Sequence, residues 1–408
     1  MLHVHFGAGR LGLGLIVPFF ATAGTTSFIL NRAVSSTNPT GTTALPPLRR
    51  NGLLRDNPAK AYVVQQPANQ GGRREVIHYD AFFEYGEGGQ DIGSTIHTIL
   101  ETGAQLNDGV VVTASLISAA NYRPVLEALE LLAASKERGA LGPIFLVTCE
   151  NTLSAPEIFE DPDLAPLISD GMRRHVTPVP ALVDRVCIGL EEGNEENREG
   201  LHPTVVVTTE EYGSLKLELS PATEDLARHL KGSRVEFTRY VAIEKQIKSW
   251  LLNGSHWLLA LAAFEDSQGD PELRLNEFLE RNAGNRAFAD EVMREMREGI
   301  AVVLRREPEF AGFVRDINPD DYLAGASVAI LSRFLSNDDP MSRILARFQA
   351  PSPEKPSTVD AFKKRFFDRV DAPIAAYTKK KGCPPPAATR SLRSLDHLIA
   401  SGTFINAA

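Results

Sequence analysis

The chain has 408 residues, 43% hydrophobic and 23% charged, which is the balance of an ordinary soluble globular protein and more than one hydrophobic core usually organises. Its 43 basic and 52 acidic side chains leave a net charge of -9 with no basic stripe, which argues against nucleic acid as a partner. Three cysteines, Cys149, Cys187 and Cys383, without C-x-x-C spacing, argue against a disulfide scaffold or a thiolate zinc site and fit the reducing cytoplasm.

Leu2 to Phe6 reads as a short strand, and the segment after Gly12 as a helix packed on it. The apolar run from Leu11 to Ala23 is broken by glycines and Pro18 and is too short to cross a bilayer, so neither a signal peptide nor a membrane segment is expected. Thr26 to Leu30 is a second strand, and "SSTNPTGTTALPP" from Ser35 to Pro47 a surface loop. Ala61 to Val64 reads as a third strand, and Val110 to Thr113 and Ile144 to Thr148 as fully buried strands. Between these last two, "NYRPVLEALELLAASKERG" has helical apolar spacing and closes on Gly139.

Strands alternating with helices imply an α/β fold with a doubly wound, Rossmann-type parallel sheet. After an acidic loop, "EEGNEENREG", Thr204 to Thr208 and Ser214 to Leu219 read as two strands, antiparallel at the edge of that sheet. From Val235 the patterns turn helical, broken at "APSPEKPS" and "KGCPPPAA". The expectation is therefore a dinucleotide-binding domain over 1–234, followed by a mainly helical, all-α domain over 235–408.

Gly7-Ala8-Gly9-Arg10-Leu11-Gly12 is a G-x-G-x-x-G placed after a strand and opening a helix. Gly7 permits the tight turn, Gly9 lets the backbone approach a pyrophosphate, and Gly12 allows close packing of helix on strand. The helix N-terminus adds free N–H groups and a positive dipole. In NAD sites an acid about 20 residues on grips the ribose hydroxyl, whereas a neutral residue with Arg better suits the 2′-phosphate of NADP. Asn31 and Arg32 stand there, so NADP is favoured over NAD; the alternative has Arg32 solvated and Asn31 accepting from NAD's ribose.

"IEKQIKSWLLNGSHWLLALAA" is the second informative stretch. On an α-helix at about 100° per residue, His256 lies about 80° and Asn253 about 140° around from Lys248, so an amine, an amide and an imidazole fan over one side. Gly254 costs about 1 kcal/mol against Ala in a helix, which points to a close neighbour, backbone or ligand. A capped amphipathic helix with a surface lysine is the plain alternative. His3 and His5 alternate along the first strand and read as satisfied structural residues, and Cys149 as buried packing.

Lys248, Asn253 and His256 reproduce the K-x(4)-N-x(2)-H signature of the polyol-specific long-chain dehydrogenase/reductases, and the chain resembles this mannitol dehydrogenase family. "HFGAGRLGLG" is similar to the N-terminus of its mannitol-1-phosphate 5-dehydrogenase branch; "TCEN" at Thr148 to Asn151, "VDR" at Val183 to Arg185 and "RFLSNDDP" at Arg333 to Pro340 are further matches in family order. Departures are Asn31 in place of an Asp, Ser115-Leu116-Ile117 after Thr113-Ala114 in place of the branch's own turn, Lys245 and Gln246 where an acid often precedes the lysine, and the loop from Ser35 to Pro47.

The resemblance implies interconversion, without a metal, of a secondary alcohol and a ketone on a polyol, polyol phosphate or sugar derivative. Lys248 would be the general acid/base, since an amine desolvated in a closed cleft between the domains gives up its proton more readily. Asn151 and Asn253 would donate to the substrate oxygen, His256 would orient, and Thr113 would join Gly7 to Gly12, Asn31 and Arg32 in holding the cofactor. Asp184 would accept from a substrate hydroxyl, or pair with Arg185; Arg333 would meet an anionic group, or lie on a helix surface. The alternatives are a ketohexuronate reductase and a non-catalytic dinucleotide sensor. A cytoplasmic monomer with a small-molecule substrate is expected.

Overall fold

A computed structural model describes residues 1–21, 25–34, 45–102, 106–116, 118–149, 154–197, 200–270, 272–337, 339–345 and 358–400. The chain divides into two compact units, Met1–Val241 and Ala242–Ala408.

The first unit is built on Leu2–Phe6 (β1), whose five side chains are all buried, as expected of a central parallel strand covered on both faces. The other strands are Thr26–Arg32 (β2), Ala61–Gln65 (β3), Arg74–His78 (β4), Ala81–Tyr85 (β5), Val110–Ala114 (β6), Ile144–Thr148 (β7), Val176–Val179 (β8), Ala181–Asp184 (β9), Cys187–Asn197 (β10), Gly200–Thr209 (β11), Ser214–Glu218 (β12) and Val235–Thr238 (β13). The principal sheet has six parallel strands in the order β5-β2-β1-β6-β7-β8, a Rossmann-type sheet whose topological switch lies between β1 and β6. After the helix of the glycine turn (Val17–Ala21, α1), the α-helices of this unit are Pro47–Arg55 (α2), Ile92–Thr102 (α3), Arg123–Glu137 (α4), Ala155–Glu160 (α5), Asp170–His175 (α6) and Glu224–His229 (α7); α3 and α4 cover one face, burying Ile96, Leu126 and Leu129 on Val4, Val112 and Leu146. Each such side chain contributes about 1.5–3 kcal/mol.

The opposite face carries the helix that follows the glycine turn: a π-helical segment, Gly12–Ile16, continued as Val17–Ala21 (α1). Pro18 causes the π register. It has no N–H to give the Gly14 carbonyl, and the Val17 N–H reaches back to Gly12. The carbonyls so released are taken by side chains: Tyr62 Oη donates to Leu13 at 2.8 Å and Arg185 Nη1 to Gly14 at 2.9 Å. Leu15, Ile16 and Phe20 of this segment pack with Leu215 and Val183, while Leu13 and Val17 pack with Tyr62, Val205 and Val207.

Those partners belong to two small sheets, β10-β11-β3-β4 and β13-β12-β9. The place expected for Ala61 to Val64 in the parallel sheet is therefore filled by β5, with the register Asn31 to Glu84, and Ala61–Gln65 pairs with β4 and β11 instead. Likewise β11 and β12 do not edge the parallel sheet. The acidic stretch expected as a loop continues β10 into a hairpin with β11. Val235–Thr238 is a strand rather than helix, paired with β12, and the first unit accordingly runs beyond residue 234. The loop from Ser35 to Pro47 lies mostly outside the described residues.

The second unit is helical: Val241–Lys248 (α8, entered from the first unit), a π segment Ser249–Gly254, Ser255–Asp266 (α9), Leu275–Glu280 (α10), Ala283–Arg306 (α11), Ala311–Asp316 (α12), Pro319–Ser336 (α13), Met341–Ile344 (α14), Thr358–Lys381 (α15) and Pro386–Ala400 (α16). A Cβ on Gly299 would lie 2.1 Å from the Pro373 carbonyl oxygen and one on Gly254 would lie 2.7 Å from that of Arg369, so α15 is seated directly on α11 and on the π segment. Glu295, buried within α11, accepts the Ala387 and Ala388 N–H groups at 3.0 and 2.9 Å and so caps α16. Among the described residues, no helix is long and apolar enough to cross a membrane.

Candidate functional site

Gly7 has φ +112°, and a Cβ there would lie 2.8 Å from the Ser115 carbonyl oxygen, so the turn between β1 and the helix needs glycine twice over. A Cβ on Gly12 would fall 2.3 Å from both the Gly7 carbonyl oxygen and His5 Nε2, whereas one on Gly9 meets nothing within 4 Å. The three glycines thus do different work. Gly7 turns, Gly12 seals the helix onto the strand, and Gly9 leaves open space at the head of a helix whose first N–H groups have no partner within it.

Below the turn lies a chain of hydrogen bonds whose proton positions follow from its end. The Gly7 carbonyl accepts from His5 Nε2 at 2.9 Å, so His5 Nδ1 carries no proton and accepts from Thr113 Oγ1 at 2.7 Å. Thr113 in turn accepts from His3 Nε2 at 2.8 Å, and His3 Nδ1 accepts from Ser27 at 3.2 Å. Burial pushes His5 down to about 4, opposed by its bond to Gly7, and burial followed by the proximity of His5 pushes His3 well below the usual imidazole range. Both histidines are structural. Thr113, expected to face a cofactor, is fully buried and turns its hydroxyl inward to them, while Ser115, the first residue of the departure after Thr113-Ala114, donates from Oγ to the Gly7 carbonyl at 3.4 Å.

At the end of β2, Asn31 Oδ1 accepts the Ala8 N–H at 3.1 Å and Asn31 Nδ2 donates to Asn51 Oδ1 at 2.8 Å. Asn51, fully buried on Pro47–Arg55 (α2), donates to the Arg32 carbonyl at 3.1 Å and to Glu84 Oε1 at 2.8 Å; Arg55 pairs with Glu84 Oε2 at 2.6 Å. The Asn31 amide thus braces the turn from within. Arg32 is exposed, and Arg10, with Leu11 on the next residue, extends a guanidinium that donates to the Ile188 carbonyl at 3.1 Å. Arg185 donates to the carbonyls of Gly14 and Glu210. Asp184 ends β9, half-buried. Asn151 lies outside the described residues.

In the second unit Lys248, Asn253 and His256 are half-buried on the continuous run α8, π segment, α9. Lys248 is the N-cap of the π segment and Asn253 lies five residues on. Because π pairing runs i→i+5, the two occupy successive turns in register, closer to one face than α geometry would place them. The His256 ring stacks on Phe334 at 4.8 Å and 17°, with Nε2 3.6 Å from Asp339 Oδ2. Asp339 is pinned in turn, its carbonyl accepting the Leu275 N–H at 3.0 Å while the Met341 N–H bonds to Leu273 at 2.9 Å. The stretch that begins at Arg333, half-buried in the last turn of α13, is therefore folded onto His256. Glu244, one turn before Lys248, is buried and accepts from Tyr322 Oη at 3.2 Å. Asp339, Phe334 and Tyr322 were not singled out from sequence, although two of them lie inside "RFLSNDDP".

Among the described residues, no group of three or more His, Cys, Asp or Glu side chains is arranged to hold a metal ion. Cys149 is buried, and burial pushes the Cys187 thiol up to about 12, so neither is poised as a nucleophile.

No family model matches the sequence, and no curated protein matches it. Among solved structures the chain is similar to a D-sorbitol dehydrogenase in substrate-free form, at 15% identity and TM-score 0.53 over 92% of this chain and 79% of that one. It is similar also to Pseudomonas fluorescens mannitol 2-dehydrogenase, in a ternary complex with NAD and D-mannitol, at 15% identity and TM-score 0.51 over 96% of this chain and 83% of that one. At such identity the likeness is one of fold: a Rossmann-type unit followed by a helical one.

Proposed function

We propose that the chain is a dinucleotide-dependent oxidoreductase that interconverts a secondary alcohol and a ketone on a polyol, a polyol phosphate or a related sugar derivative. The observation that carries this reading is the open space over Gly9, at a helix head beside the switch point of a parallel sheet, with Gly7 and Gly12 closed beneath it. Gly7 to Gly12 would hold the pyrophosphate of NADP or NAD. Arg32, exposed at the end of β2, favours NADP. When bound, the nicotinamide supplies hydride transfer.

The remaining chemistry falls to this chain's own side chains. Lys248 takes the alcohol proton or returns it to the developing alkoxide. Asn253, in register with it, donates to the same oxygen, as does Asn151 in this reading; donors fixed in advance stabilise the oxyanion most when its charge peaks. His256, held by Phe334 and Asp339, orients the substrate, with Asp184 and Arg333 contacting its hydroxyl or anionic groups. The test is turnover of NADPH and NADH with fructose 6-phosphate, fructose and fructuronate. Oxidation of either cofactor by one of these supports the reading and ranks the substrates; no turnover with any of them contradicts it.

A further inference from the structure

The hydrogen bonds around Asn51 leave room for one carboxylate, and it stands at residue 84 instead of residue 31. The Ala8 N–H obliges residue 31 to present an acceptor, and its other atom, 2.8 Å from Asn51 Oδ1, must then be a donor. Asn51 is not free to turn, since its amide nitrogen serves two acceptors, the Arg32 carbonyl and Glu84 Oε1. An aspartate at residue 31 would set an acceptor face to face with Oδ1 of the fully buried Asn51, with the Glu84 carboxylate behind them. Asn31 and Glu84 also occupy directly paired positions on β2 and β5.

Resting on the dinucleotide reading, we infer that residues 31 and 84 share one negative charge through Asn51, and that this arrangement withholds residue 31 from selecting between NAD and NADP. Asn51 is the positioning residue. In a site without this constraint, Asn31→Asp would turn preference towards NADH, because the new carboxylate would accept from the ribose and repel a 2′-phosphate. Here the new carboxylate is engaged by Ala8 and opposed by Asn51.

The experiment compares wild type, Asn31→Asp, Glu84→Gln and the double variant, by melting of the cofactor-free protein and by titration with NADPH and NADH. Asn31→Asp should lower the melting temperature by about 5 °C or more. The double variant should recover part of that, because the amide introduced by Glu84→Gln can donate to Asn51 Oδ1 and let Asn51 turn its nitrogen to the carboxylate introduced by Asn31→Asp, at the cost of its bond to the Arg32 carbonyl. Arg55, exposed and also paired with Asp56, tolerates the change. Asn31→Asp should weaken both dinucleotides together, leaving their affinity ratio within about threefold of wild type, against the tenfold or greater shift of a free selector. A tenfold shift towards NADH, unchanged melting in Asn31→Asp, or no recovery in the double variant overturns the inference. Wild type that binds neither dinucleotide overturns the functional reading and the selectivity claim with it, while the melting series alone judges the shared charge.

Discussion

Thr113 Oγ1 donates to His5 Nδ1 at 2.7 Å, with no charged group in the relay that the two residues form with His3, Ser27 and the Gly7 carbonyl. Burial, opposed by the bond to the Gly7 carbonyl, brings protonation of His5 in the folded state down to about 4, where the unfolded chain takes up the proton at the ordinary 6.5. With the folded value depressed, the unfolded state binds more protons between them. The stabilisation is complete above the unfolded value and is lost as pH falls from 6.5 to 4, by up to about 3 kcal/mol. Urea unfolding at pH 7.5 and pH 4 should show wild type losing more stability than His5→Gln; equal losses would show that His5 is not buried neutral. Thr113→Val, which strands two ring nitrogens, should cost about 2 kcal/mol at pH 7.5.

Gly254→Ala should destabilise by about 1–3 kcal/mol, since its Cβ would lie 2.7 Å from the Arg369 carbonyl and neither helix backbone yields cheaply. Chemical denaturation checks this. A change within about 0.5 kcal/mol would mean that α15 can shift.

Lys248→Met keeps the length of the side chain and removes the amine. Turnover should fall by at least about 100-fold with NADPH affinity within about twofold, because the proposed function gives the proton to Lys248 in the second unit and the dinucleotide to the glycine turn in the first. Stopped-flow oxidation and equilibrium titration measure the two separately. Turnover within about tenfold of wild type would assign the proton elsewhere.

Much of this was legible in the sequence for a physical reason. The strand and the three glycines of "HFGAGRLG" constrain one another locally, so spacing alone identifies which glycine turns and which seals. Ile144–Thr148 and the helix before it were readable because a buried parallel strand is a continuous apolar run and its crossover helix has its own period. The place of β5 was not readable, since Ala81–Tyr85 and Ala61–Gln65 have similar apolar content and only long-range pairing decides which joins β2. The inward turn of Thr113, the bracing of Asn31 by Asn51 and the approach of Asp339 to His256 join residues from 20 to more than 100 positions apart. No local pattern encodes such contacts. The π register after Lys248 was missed because helical reading assumes 3.6 residues per turn, whereas that after Gly12 follows from Pro18.

The most direct test of the central claim, that a dinucleotide sits over the glycine turn, is the affinity of Gly9→Ala for NADPH. Gly9 is not among the positive-φ glycines and its added methyl would meet no protein atom within 4 Å, so the variant should melt with wild type, in contrast to Gly12→Ala. The methyl would occupy the space through which the pyrophosphate approaches the backbone, and binding should weaken by about tenfold or more. Unchanged affinity in a normally folded Gly9→Ala protein would contradict the account.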